Sequence, residues 1–290
     1  MGLTGGCYHH GFGGTFLNIL GQIRPDERQS TYAASVLIGG IMAAHALIET
    51  ARDALFLARL PPAQLAWVYL AIAVASLALF VVQEHSGVRS GRKALTTWLV
   101  GAAVVDVLLW FVVDQPGTWA LYVLYTWTGV FASLVVVRFW TLLGDLFSIG
   151  QAKRVFSLIG AGGVAGAILG SLLARMLAGY VEPRHLILAS AVVVVATAVA
   201  TRVLLPPTKT ATTRTPRAEV FDLRWPLHAI WERPYLRRVA AIVLLSAVTL
   251  TLADFVFKSA VAARVPPEQL GAFFATTYLV LNTLSLAAQL

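Results

Sequence analysis

Residues 157–171, SLIGAGGVAGAILGS, admit two readings that lead to different folds. Gly160, Gly162 and Ala165 fit the G-x-G-x-x-A spacing of a dinucleotide-binding turn, and the basic pair Lys153–Arg154 stands just before it. Such a turn needs a strand in front of it and a βαβ setting around it, and the flanking sequence supplies neither. In the other reading, Gly162, Gly166 and Gly170 repeat every fourth residue with Ala161 and Ala165 beside them, which gives one helix a continuous face of small residues. Faces of this kind let transmembrane backbones approach closely where lipid removes the hydrophobic drive between helices.

Composition decides between them. Of the 290 residues 58% are hydrophobic and only 12% charged, and the mean hydropathy is +0.76. A water-soluble fold needs more polar surface than this, whereas a chain facing lipid does not. The glycines are therefore read as helix packing, and in a sharper form as a flat face that rocks against an opposing bundle. The single Cys7 offers no disulfide framework or thiolate metal site. No cleavable leader is evident, so the first apolar helix is expected to stay in the mature chain.

Apolar stretches of spanning length fall at about 30–52, 62–83, 94–113, 117–138, 155–179, 184–204, 236–258 and 269–290. This predicts an all-α integral membrane protein in four parts. Residues 1–29 form a cytoplasmic N-terminal segment, 30–204 a six-helix bundle, 205–235 a cytoplasmic linker, and 236–290 the first two helices of a second bundle. The linker contains PPTKTATTRTPRAEV, a Thr/Pro/basic run, followed by a stretch whose Trp225, Trp231 and Tyr235 suit the membrane interface. Six helices, a linker and more helices is the layout of major-facilitator-like helical bundles around a central cavity.

With the N-terminus inside, fifteen of the 22 Lys and Arg fall in cytoplasmic segments, and only Arg59, Arg184 and Arg264 fall in outer loops. The positive-inside rule favours that orientation. It also removes nucleic-acid binding as the meaning of the basic pI, because the cations are spread over separate loops. Arg59 is expected to be a solvated loop charge with little role.

Ionisable residues inside apolar segments are costly and mark sites. His45, Glu49, Arg52 and Asp53 share one stripe of the first helix, as an interfacial cluster or as a cavity lining. Asp106 stands alone in the third, as a proton or ion carrier or as the partner of a structural arginine. Arg138 and Asp145 lie seven apart on the fourth, fitting a gate or an interhelical bridge. In the seventh, Asp254 precedes Lys258 by four residues, so the two can pair on one face. They could receive an anion, or form a static bridge at the outer interface.

Two resemblances join this reading. GVRSGRKAL, around Arg89–Lys93, resembles the end of the loop signature between the second and third helices of major facilitator transporters, with Val88 in place of its acid. TARDALFL, with Arg52–Asp53, resembles the first-helix Lys-Asp motif of the nucleotide (ATP/ADP) translocases of plastids and intracellular bacteria. Phe139–Trp140 followed by QAKRVFSLIG, and DFVFKS at 254–259, resemble two further motifs of that family in the right order. Thr128 stands where ATP/ADP exchangers carry an acid, and Arg52 replaces a lysine, as in a divergent bacterial branch.

The resemblance implies transport of nucleotides or related phosphorylated anions by alternating access in a bacterial inner membrane, without enzymatic activity or cofactor. Arg52, Asp53, Asp254, Lys258 and Glu49 would be substrate-binding. From their own placement in the sequence, Asp106, Arg138, Asp145, Lys153 and Arg154 are read as gating or coupling residues, and Gly162, Gly166 and Gly170 as helix packing. Eight spans, with the last residues LNTLSLAAQL still apolar, lead to the expectation of a chain that stops partway through its second bundle. The alternatives are a facilitator of another solute, proton-coupled through Asp106, and a membrane module that anchors a soluble domain. No metal site is expected; CYHHG near the N-terminus is read as a tail.

Overall fold

A computed structural model of the chain describes residues 25–85, 91–205 and 231–289. The N-terminal segment with CYHHG, the Val88–Ser90 part of the GVRSGRKAL loop, and linker residues 206–230 with Trp225 lie outside them. All regular structure among the described residues is helical. Eight helices are long and apolar enough to cross a membrane, which is compatible with a multi-pass membrane protein. They are α1 (Pro25–Arg59), α2 (Leu65–His85), α3 (Arg92–Val112), α4 (Trp119–Leu146), α5 (Ile149–Leu177), α6 (His185–Leu204), α7 (Pro234–Ala262) and α8 (Leu270–Gln289). Short 3-10 turns at Pro62–Gln64 and Pro267–Gln269 open the α2 and α8 hairpin arms.

Several helices run past their apolar windows. α1 starts at Pro25 and ends at Arg59, and α5 starts at Ile149, so Lys153 and Arg154 sit in its first turns. α5 is started by a capping box in which the Ser148 backbone donates to Gln151 Oε1 at 2.9 Å. Polar first turns of this kind lie outside a hydropathy window although the backbone is already helical.

Consecutive helices alternate in direction, and bonds at each end tie the connections together. At one end Arg59 donates to the Val113 carbonyl at 2.9 Å and reaches Asp114 at 3.6 Å, while Arg184 pairs with Asp114 and, at 3.2 Å, with Glu182. Arg59 is thus no idle loop charge: it holds the α3–α4 connection against the end of α1. At the opposite end Arg154 pairs with buried Glu27 at 2.8 Å, and Arg92 donates to the Leu205 carbonyl at 2.7 Å.

α1 is the hub, packed against α4, α5, α6 and α8, with α3 between α6 and α4, and α2 outside α4. Its contact with α5 is where the glycine face is used. A Cβ on Gly166 would lie 2.0 Å from the Gly39 carbonyl oxygen, one on Gly170 2.3 Å from that of Ala43, and one on Gly162 2.8 Å from that of Ser35. The face therefore presses backbone on backbone inside the first bundle, and not against an opposing one. α8 packs on α5 as well, where Asn282 donates to Ser171 at 3.1 Å.

Side chains fill two buried clusters. The one towards the Glu27–Arg154 end, including Leu37, Ile41, Leu99, Phe139 and Ile159, draws on α1 and α3–α6 alone. The one towards the Arg59 end, with Leu47, Phe56, Leu65 and Tyr125, also takes in Val261 of α7 and Leu270, Phe274 and Ala275 of α8. The α7–α8 pair is therefore joined to the bundle at the Arg59 end. Along the rest of α7, Ile242, Leu245 and Leu252 are exposed, as are Val100, Val104, Leu108 and Phe111 in one stripe of α3. Apolar stripes of this length are a liability in water and an ordinary helix surface in lipid.

Candidate functional site

One polar cluster interrupts the apolar core near the Arg59 end. Asp53 lies six residues before the end of α1, about 9 Å along the axis at ~1.5 Å per residue. Lys258 sits four residues before the end of α7, and Tyr125 six residues into α4. These are matched depths, so the antiparallel helices bring them to one level.

Lys258 is 1% exposed. Its ammonium meets Asp53 Oδ1 at 3.2 Å and Asp254 Oδ2 at 2.9 Å, and donates to the Tyr125 hydroxyl at 2.8 Å. An ammonium has three N–H donors, and here each has an acceptor. Asp53 is fully buried; its Oδ1 also receives Arg52 Nε at 3.4 Å, and its Oδ2 accepts from the Tyr278 hydroxyl. Arg52 continues to Glu49 at 3.1 Å and donates to Thr128 Oγ1 at 3.0 Å. Its guanidinium carbon stands 4.5 Å from the centre of the Tyr125 ring, and Lys258 Nζ stands 5.4 Å from the same ring. Tyr69 of α2 donates to Asp254 Oδ2 at 2.6 Å.

Arg52, Asp53, Glu49, Asp254 and Lys258 are therefore parts of one constellation, and it joins five helices. Lys258–Asp53 links α7 to α1, Lys258–Tyr125 links α7 to α4, Tyr278–Asp53 links α8 to α1, and Tyr69–Asp254 links α2 to α7. The burial of Asp53 and Lys258 separates this arrangement from an ion pair at the membrane surface. Asp254 is its open edge, 40% exposed at the side chain. It faces a groove of about 400 Å³ between α2 and α7, lined by Tyr69, Ile72, Leu250 and Thr251. His45, one turn along α1 from Glu49, approaches it at 3.7 Å and extends the polar stripe away from the Arg59 end.

The remaining polar positions lie apart from this cluster. Asp106, 2% exposed, accepts from Trp127 Nε1 at 2.9 Å and from the Ser190 hydroxyl at 3.2 Å, so its partners are neutral groups of α4 and α6 and not an arginine. Arg138 lies over Trp98 of α3, 5.9 Å from the ring centre. Asp145 is exposed and forms no ion pair among the described residues, so it and Arg138 form no bridge: seven residues separate them by two turns. Lys153 is exposed, whereas Arg154 fastens α5 to α1 through Glu27.

No protein-family model matches the chain, and no curated protein or solved structure matches it. Two cations share one carboxylate and one aromatic ring, surrounded by three carboxylates and three phenols. The tyrosines that complete it, Tyr69, Tyr125 and Tyr278, carry no charge signal. The trace they leave in the sequence is no more than a phenol inside an apolar run.

Proposed function

We propose that the protein is a secondary transporter of phosphorylated anions, nucleotides foremost, which works by alternating access with its N-terminus in the bacterial cytoplasm. The observation that carries this reading is the convergence of Arg52 and Lys258 on the buried carboxylate of Asp53, across the junction between the first six helices and the α7–α8 pair. A phosphate group offers several charged acceptor oxygens and suits both a guanidinium fork and an ammonium. It competes for Lys258 with Asp254, the carboxylate that already borders the open groove. An acid that closes the site when it is empty and yields to an anion when it is filled is a two-state element of the kind alternating access requires. Proton-coupled facilitation of another solute and a non-transporting anchor make no use of paired cations at this junction.

The test is uptake of radiolabelled ATP into proteoliposomes that contain ADP, normalised to reconstituted protein. Arg52→Gln and Lys258→Gln are expected to abolish uptake. Arg264→Gln, on the exposed α7–α8 connection, is expected to leave it unchanged. Wild-type rates in the first two variants would remove the anion-site reading, and absence of ATP, ADP and phosphate exchange in the unmodified protein would remove the substrate class.

A further inference from the structure

Asp106 belongs to a second site, separate in bonding from the charged cluster. It projects from α3 into the interior of the first bundle, where Trp127 of α4 and Ser190 of α6 are its hydrogen-bond partners. Three helices thus each contribute one group, and the flanking buried residues are apolar or small: Ala102, Ala103 and Leu109 on α3, and Ala191 and Val194 on α6. No ion pair reaches it among the described residues.

The two partners differ in what they can do. An indole N–H only donates, so Oδ1, which receives Trp127, is an acceptor whatever the state of the carboxyl group. A serine hydroxyl both donates and accepts. Towards a carboxylate Ser190 donates to Oδ2; towards a carboxylic acid, Oδ2–H donates to Ser190 Oγ across the same 3.2 Å contact. Rotation of one hydroxyl therefore completes the hydrogen bonding in both protonation states. Had both partners been pure donors, the acid form would carry a buried O–H with no acceptor; a fixed cation would have secured the carboxylate alone.

We propose that Asp106 is a reversible proton-binding site, protonated at Oδ2, with Ser190 as the rotor that serves both forms. The charged and titratable groups on the helices around it lie towards the helix ends or are engaged elsewhere. α3 has no others beyond Arg92 and Lys93 at its far end, and α6 none between His185 and Arg202 at its termini. His185 accepts from Trp110, at 3.4 Å. α4 brings Tyr122, bonded to Gln64, Tyr125, bonded to Lys258, and further along Arg138 and the exposed Asp145 near its end. α1, packed on α4 and α6, carries His45, Glu49, Arg52 and Asp53, whose ion pairs stay within their own cluster. The two sites meet on α4, where Trp127 bonds Asp106 and the next residue, Thr128, bonds Arg52.

This inference does not depend on what the protein carries, and its test uses no transport. Infrared difference spectra of the purified full chain in lipid, recorded across the pH range in which it stays folded, report protonated carboxyl groups through their C=O stretch. A band that grows as pH falls, vanishes in Asp106→Asn and shifts to higher frequency in Ser190→Ala, whose O–H partner is gone, is the expected result. Asparagine presents an acceptor to Trp127 and a donor to Ser190, as the acid does, so that variant should keep the fold. If it does not, the Ser190→Ala shift alone assigns the band. Absence of any such band in the unmodified protein, a band that ignores pH, or one untouched by either substitution overturns the proposal.

Discussion

At the scale of single residues, the charged cluster is balanced by geometry more than by number. Asp53 has no exposed surface, yet both of its oxygens are used, by Arg52 and Lys258 on one side and Tyr278 on the other. Breaking a buried pair by removing one partner is costly, typically about 3–5 kcal/mol, because the other charge is left without compensation. Lys258→Met is therefore expected to lower unfolding stability by that order, with Asp53 left to Arg52 and Tyr278. The double variant Asp53→Asn with Lys258→Met should recover a large part of the loss, since no carboxylate then faces an apolar side chain. Chemical unfolding of both in detergent micelles checks this; equal losses in the single and double variants would show that Asp53 does not depend on Lys258. The charged members of this candidate site were legible in sequence because an ionised side chain in an apolar segment is expensive enough to stand out. Tyr125 and Tyr278 were not, because a phenol is tolerated at any depth where its ring can pack, and its hydroxyl partner is set by helices distant in sequence. The same holds for Asp106: its position could be read, whereas the choice between an arginine and a neutral pair of donors rests on which side chains α4 and α6 place beside it.

At the scale of elements, the α1–α5 contact explains why the opening glycines recur at every fourth position. In lipid there is no apolar surface to bury between helices, so association draws on van der Waals contact, and the nearest approach belongs to the smallest residues. Gly166 sits over Gly39, and a methyl there would fall 2.0 Å from a carbonyl oxygen that cannot move without the α1 backbone. Gly166→Ala is expected to force α1 and α5 apart and to destabilise the bundle by about 1–3 kcal/mol, as overpacking does. Gly160→Ala, with no neighbour within 4 Å on the same helix, should be neutral or slightly stabilising through helix propensity. Thermal unfolding of the two variants side by side separates packing from propensity, and equal behaviour would remove the special role of the Gly166 face. That α5 is a helix with one small-residue face could be read from spacing alone. Its partner was harder to pick out: Ser35, Gly39 and Ala43 of α1 repeat at the same spacing of four, but small residues recur on other faces of that helix too, and Gly40 serves α6 through Thr197.

At the scale of the whole molecule, the α7–α8 pair meets the first six helices at one end, through Val261, Leu270, Phe274 and the Lys258 cluster, while the first turns of α7 at the other end stay exposed. Eight spans and an all-helical fold were legible from composition and window length; this one-ended junction was not, since it depends on where a polar cluster interrupts otherwise similar apolar surfaces. Its direction relative to the membrane follows from charge. The Arg59 end carries Arg59, Arg184 and Arg264 among the connections, matched by Asp114, Glu182 and Glu268, whereas among the described residues the opposite end collects Arg28, Arg92, Lys93, Lys153, Arg154, Arg202, Arg233, Arg237 and Arg238. Cations near helix ends resist translocation more than acids promote it, so the junction is expected to face outwards and the opposite end inwards. The single native cysteine makes this testable after Cys7→Ser. A cysteine at Glu268, exposed in the turn before α8, should react with a membrane-impermeant maleimide in intact cells. One at Thr208, in the basic linker, should react only after permeabilisation. The reverse pattern would invert the topology and place the Lys258 junction on the cytoplasmic side; labelling of both in intact cells would mean that the α7 segment does not cross the membrane at all.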